Sequence, residues 1–252
     1  MTPSFYTTST GDRLAYHKTE SKSPAIVFLG GFMSDMQGSK ALYLESFAKQ
    51  HGHSFLRFDY HGHGESSGDF KDGTIGRWKE GAIELINAMT HSDAILIGSS
   101  MGGWISLHAA LDSSLKNRVK ALIGIAAAPD FTIGMWSDHL TDEQCSEIKL
   151  NGVTYVPNCY SDTPYPITKA LIDDGKEQAL LNKGEKLDIT CPVRLLQGMK
   201  DEDVHWQTAQ HIADNIASTD CQIHYLKDAD HRMSGEEELT LLGSTLMALI
   251  EK

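Results

Sequence analysis

The sequence predicts an α/β protein, a mostly parallel sheet covered by helices on both faces. Three observations lead there. Short, wholly apolar runs alternate with amphipathic helical stretches, and a strand that is apolar on both sides must be buried on both sides. The length, 252 residues, suits a single large α/β domain, here taken to span residues 1–252. Hydrophobic residues make up 40% and charged residues 22%, so the chain can bury a core without disulfides or a metal.

Taken in order, residues 4–8 and 14–18 are joined by Gly11-Asp12 and predict an N-terminal hairpin. Residues 25–29 (AIVFL) form a buried strand, followed by a helix over about 40–50 and a second strand at 55–59 (FLRFD). Residues 75–92 place Trp78, Ala82, Leu85 and Met89 on one helical face. Residues 94–97 (AILI) are a strand running straight into Gly98, and a helix starts at about Met101. A strand at 119–125, a strand at 193–196, a helix carrying Ala209, Ile212, Ala213 and Ile216, and a strand at 223–226 continue the alternation. A last helix aligns Leu239, Leu242, Leu246 and Leu249. The count is about eight strands.

Between residues 130 and 190 the rhythm breaks. Short helical patterns near 142–150 and 167–181 flank Pro157, Pro164 and Pro166, and no strand of the main sheet is evident. A long insertion in a regular domain is usually functional, so a small helical cap over the site is expected.

The strongest chemical signal is Gly98-Ser99-Ser100-Met101-Gly102, a G-x-S-x-G between a buried strand and a helix. A nucleophile on so sharp a strand-to-helix turn needs small neighbours two positions away on either side. The helix behind it aims free N–H groups at a developing oxyanion. Ser99 is out of frame, because position 97 is Ile. The bland alternative is a Gly-Ser turn whose serine caps a helix.

A serine hydroxyl needs a base, and the base needs an orienting acid. Asp201 follows the strand ending in Gly198, and His231 follows the next strand, just before the last helix. Asp203 is the competing acid; the G-x-x-D-x-x-V spacing selects Asp201. His205, His211 and His224 are less well placed, opening a helix, riding one, or sitting within a strand. Two backbone N–H groups should hold the oxyanion: that of Met101, and that of Phe32 in Gly30-Gly31-Phe32 after the strand 25–29. The less favoured reading is that Gly30-Gly31 is no more than a tight turn.

His61-Gly62-His63-Gly64 has two histidines but lacks nearby further ligands, so it reads as a turn closing a strand and no metal is expected. Cys145, Cys159, Cys191 and Cys221 show no C-x-x-C pair and are expected to be reduced and structural. Phe32, Met135 and Trp136, with Phe131, Leu140, Tyr155 and Tyr165, offer walls for an apolar acyl site; packing of a small cap requires the same composition. The net charge of -12 argues against a nucleic-acid partner. No apolar run reaches the length of a membrane span, and residues 1–13 carry no secretory or transit pattern, so a cytoplasmic protein is expected.

These residues resemble the α/β-hydrolase superfamily from end to end and, within it, the subgroup of alpha/beta-hydrolase domain-containing protein 10. The segments that carry the resemblance are Phe55-Leu56-Arg57-Phe58-Asp59-Tyr60, Gly98-Ser99-Ser100-Met101-Gly102-Gly103-Trp104, LLQGMKD at 195–201 and Asp230-His231-Arg232-Met233. The resemblance implies the α/β-hydrolase fold, a Ser100–His231–Asp201 triad and serine-esterase chemistry without a cofactor. Its substrates would be small-molecule esters, acyl thioesters or acylated proteins; the subgroup contains acyl-protein thioesterases that also cleave acyl glucuronides. The chain departs from the subgroup at Val204-His205-Trp206, where Pro usually stands between Val and Trp. Rivals on the same triad are a cofactor-free perhydrolase and a carbon–carbon bond hydrolase. Dehalogenases and epoxide hydrolases of this fold place Asp at the elbow, and a non-catalytic binding module typically lacks a triad member.

Overall fold

The computed structural model describes residues 2–158, 163–181 and 184–252. Cys159 lies outside them. Eight strands form one sheet: β1 (Ser4–Thr7), β2 (Arg13–Thr19), β3 (Lys22–Leu29), β4 (His53–Phe58), β5 (Ala94–Ser99), β6 (Val119–Ile125), β9 (Val193–Gly198) and β10 (Cys221–Leu226). The spatial order is β1-β2-β4-β3-β5-β6-β9-β10. The β1–β2 and β2–β4 pairs are antiparallel and all others parallel.

Alternation along the central strands splits the core between the two faces. Val27, Leu29 and Leu96 pack on one side with α2 (Ile75–Met89), α3 (Met101–Leu111) and α7 (Gln207–Asn215), through Trp78, Leu85, Trp104, Ile105 and Ile212. Ile26, Phe28, Ile95 and Ile97 pack on the other with α1 (Ser39–His51) and α8 (Glu236–Ile250), through Leu44, Leu242 and Leu246. No described helix is long and apolar enough to cross a membrane.

The chain leaves β3 toward β4 on one side and later returns to β5 on the other. The order of strands therefore reverses between β3 and β5, and ligands of open α/β sheets bind at the carboxyl ends of strands flanking such a reversal. Both G-x-S-x-G and the Gly30-Gly31-Phe32 loop sit at that rim.

Between β6 and β9 lie α4 (Phe131–Gly134), a π-helical turn at Met135–His139, α5 (Asp142–Asn151), β7 (Val153–Val156), β8 (Tyr165–Thr168) and α6 (Lys169–Glu177). Thr141 starts α5 with a reciprocal capping box to Gln144. The β7–β8 ribbon, antiparallel with Tyr155 opposite Pro166, was not anticipated. Each strand has four residues, too few for a period to show, and Pro166 removes a ladder donor. The helical stretch expected from 167 accordingly begins at Lys169, where Thr168 accepts the Leu171 N–H at 3.1 Å and caps it.

Candidate active site

Ser100 is built by the elbow between β5 and α3. Its backbone stands at φ 53°, ψ −120°, a conformation a non-glycine residue keeps only where its surroundings impose it. They do so here: the Ser100 N–H donates to the Ile125 carbonyl at 2.9 Å, and its own carbonyl accepts from Gly103 at 2.8 Å and Ala128 at 3.0 Å. The two flanking glycines are required by packing. A Cβ on Gly98 would lie 2.3 Å from the Gly102 carbonyl oxygen, and one on Gly102 would lie 2.1 Å from that of Leu29.

His231 reaches Ser100 from the loop after β10. Its Nε2 is 3.1 Å from Ser100 Oγ, and its Nδ1 is 2.9 Å from Asp201 Oδ2. The Asp201 side chain has no exposed surface while that of His231 keeps 15%. The Asp201 carboxylate is saturated: Oδ1 accepts the N–H groups of Asp203 at 3.0 Å and Val204 at 2.8 Å, and Oδ2 also accepts Gln197 Nε2 at 3.0 Å. Of the two competing acids, the one that bonds the imidazole is Asp201; Asp203 is exposed and lends its backbone. The alternative histidines lie elsewhere. His205 is exposed and stacks on Trp206, His211 rides α7 and His224 lies in β10.

The loop after β3 passes against Ser100, with the Cβ position of Gly31 3.4 Å from Ser100 Cβ. Met101 opens α3, so its N–H belongs to the first turn, which has no intrahelical acceptor. The Phe32 ring packs edge-on against Phe70, Trp78, Phe131 and Tyr165, with centroids 4.8–5.9 Å apart. It thereby joins the main core to a small apolar cluster of Ile148, Ile167 and Ile172. Met135 and Trp136 pack on that same cluster, and the Trp136 ring is flanked by the Lys149 and Lys176 ammonium groups at 5.6 and 5.5 Å.

Among the described residues one trio, Asp201, Asp203 and His231, brings metal-ligand atoms within 4.8 Å of one another. Both ring nitrogens of His231 lie within hydrogen-bond reach of partners, Asp201 on one side and Ser100 on the other. Cys145, Cys191 and Cys221 are free thiols. Burial pushes the Cys191 thiol up to about 11, so it stays protonated and unreactive at neutral pH.

Sequence reasoning passed over Gln197. A signal was there: a polar residue inside the apolar run 193–198 that is 1% exposed, and a buried amide must find partners.

Such an elbow, on such a sheet, defines a hydrolase of the α/β class, and the chain belongs to the alpha/beta hydrolase family, whose model matches residues 26–239. It is similar to the human protein named palmitoyl-protein thioesterase ABHD10, mitochondrial: 39% identical over 240 residues, covering 95% of this chain and 77% of that one. The solved structure of alpha/beta hydrolase domain-containing protein 10 from mouse superimposes with a TM-score of 0.89 at 37% identity, covering 100% of this chain and 99% of that one. A putative hydrolase from Agrobacterium vitis S4 gives 0.90 at 35% identity, covering 99% and 97%. These relatives correct one expectation. The curated ones, from cattle, orangutan, human, mouse and rat, are all named mitochondrial, against the cytoplasmic placement expected from residues 1–13. Compartment is addressed by separable segments, so a folded enzyme body does not carry it.

Proposed function

We propose that the protein hydrolyses carboxylic esters or acyl thioesters through a Ser100–His231–Asp201 triad and an acyl-enzyme. The observation that carries this reading is the imidazole of His231, within hydrogen-bond reach of a hydroxyl on one side and a buried carboxylate on the other. Relatives named as thioesterases support the ester or thioester class of substrate.

In this mechanism Ser100 Oγ attacks the acyl carbon while His231 Nε2 takes its proton, and Asp201 steadies the imidazolium. The carbonyl π electrons move onto oxygen, and that oxyanion is held by the N–H groups of Phe32 and Met101, each worth about 2.7–4 kcal/mol in comparable sites. His231 then gives its proton to the departing alkoxide or thiolate. Water attacks the acyl-enzyme by the same route, releasing the acid and restoring Ser100. No cofactor enters any step.

Residues 1–252 then act as one α/β-hydrolase domain, with the insertion at about 130–190 as its cap and Phe32, Met135 and Trp136 as walls of the acyl site. Small esters, acyl thioesters and acylated proteins are its candidate substrates. The test is S100A, which should abolish both turnover of a short p-nitrophenyl ester and labelling by a fluorophosphonate. Labelling that survives the substitution refutes the reading.

A further inference from the structure

The turn after β4 carries His61-Gly62-His63-Gly64, to which the reaction above gives no part. His63 is 3% exposed, and both its ring nitrogens are engaged. Nε2 lies 3.2 Å from the backbone N of Met33 and Nδ1 lies 3.1 Å from the His61 carbonyl oxygen. A backbone N–H can only donate, so Nε2 is the bare, accepting nitrogen and Nδ1 carries the proton. Burial lowers the His63 pKa to about 4, which keeps that lone pair available at neutral pH. Tyr60, Phe70 and Trp78 clamp the ring edge-on at centroid distances of 5.4, 4.9 and 5.1 Å.

What His63 grips is the residue after Phe32. Met33 stands at φ 51°, a left-handed conformation that a side-chain-bearing residue does not adopt unaided. The peptide joining Phe32 to Met33 is planar, so an anchored Met33 N–H also sets the far side of the Phe32 backbone. The Phe32 ring rests on Phe70 and Trp78, the same rings that clamp His63. Gly62, at φ 70°, lies so close to Phe70 that a Cβ there would be 2.6 Å from Phe70 Cα.

We propose that His63 is a positioning residue for the oxyanion site, its Nε2 holding the Met33 N–H so that the Phe32 peptide keeps its N–H aimed at the oxyanion formed on Ser100. The proposal rests on the serine-hydrolase reading above. It gives the turn a part in the chemistry, although His63 touches no substrate.

The test compares H63L, which keeps bulk and removes the acceptor, with H63Q, whose amide oxygen can still accept from Met33. Each is assayed on a p-nitrophenyl ester and titrated with a trifluoromethyl ketone, which forms an oxyanion on the nucleophile, and with the matching alcohol, which does not. H63L should lose roughly 10–100-fold in kcat at nearly constant KM. It should lose a similar factor in affinity for the ketone and none for the alcohol, and H63Q should recover most of both. Activity of H63L within about twofold of wild type, equal losses for ketone and alcohol, or no recovery in H63Q overturns the proposal. Should H63L not fold, H63Q is compared with H63N, whose shorter amide does not reach Met33; equal kcat in the two overturns it as well. Turnover by S100A would instead sink the serine-hydrolase reading itself, a separate result.

Discussion

Gln197 donates its side-chain amide to Asp201 Oδ2 at 3.0 Å, on the same oxygen that meets His231 Nδ1 at 2.9 Å. The same amide nitrogen lies 3.3 Å from the carbonyls of Gly198 and Val204, tying β9 to the loop it supports. Replacing Gln197 by Leu takes one donor from a buried carboxylate and removes the remaining amide N–H that the Gly198 and Val204 carbonyls share. Q197L is expected to unfold about 1–3 kcal/mol more easily and to lose roughly 10-fold in kcat as the imidazole loosens. Urea melts and steady-state kinetics on one ester measure both. An unchanged kcat in a destabilised variant would confine Gln197 to stability.

Asp201 and Asp203 should separate cleanly. In D201N an amide meets His231 Nδ1, and the ring can settle in the wrong tautomer; a kcat lower by about 10⁴ is expected from comparable triads. D203N retains the backbone N–H that Asp203 gives to Asp201, so activity should stay within about threefold of wild type. A large loss in D203N with activity retained in D201N would shift the acid's role to Asp203, and comparable losses would mean that the two carboxylates act together.

The elbow should tolerate no side chain at Gly102. A Cβ there meets the Leu29 carbonyl oxygen at 2.1 Å, and that obstacle is backbone of the central strand. G102A should cost about 2–4 kcal/mol of stability and displace Ser100 enough to remove most turnover. Circular-dichroism melts and ester assays suffice to check it; wild-type behaviour would mean that the elbow is slacker than its geometry.

Lys40, on α1, gives a pH signature. Its ammonium donates to the Arg232 carbonyl beside His231, and burial, with Arg232 nearby, lowers its pKa to about 8 from 10.5. Between those two values the unfolded chain binds more protons at this site than the folded one, so the site's contribution to stability rises with pH across that window and falls as pH returns to 8. The stability of wild type relative to K40M should therefore increase by about 3 kcal/mol between pH 8 and 10.5. A difference that is flat with pH would place the Lys40 ammonium in water.

Much of this molecule could be read from the one-dimensional pattern. Apolar runs such as 94–97 announce strands buried on both faces, and Trp78, Ala82 and Leu85 announce the buried face of α2, because burial repeats with each element's own period. Ser100 was legible because the elbow demands small residues at 98 and 102, and a local steric demand leaves a local signature. The addresses of Asp201 and His231, each just past a strand, followed from chain order.

The rest depended on neighbours far apart in the chain. Spacing already favours Asp201 over Asp203, but the contact of its carboxylate with Nδ1 of His231, 30 positions on, exists only in the folded chain. Gln197 draws no notice in the sequence, and His63 reads as part of a turn; folding sets the first on Asp201 and the second on Met33. The β7–β8 ribbon was hidden because a four-residue strand exists through its partner and not through its own periodicity. Periodic burial and steric necessity at a single turn are properties of adjacent residues, and the sequence by itself determined those. Which donor meets which acceptor across the sheet rim was decided by tertiary structure alone, since a hydrogen bond requires two groups within about 3 Å and at the right angle.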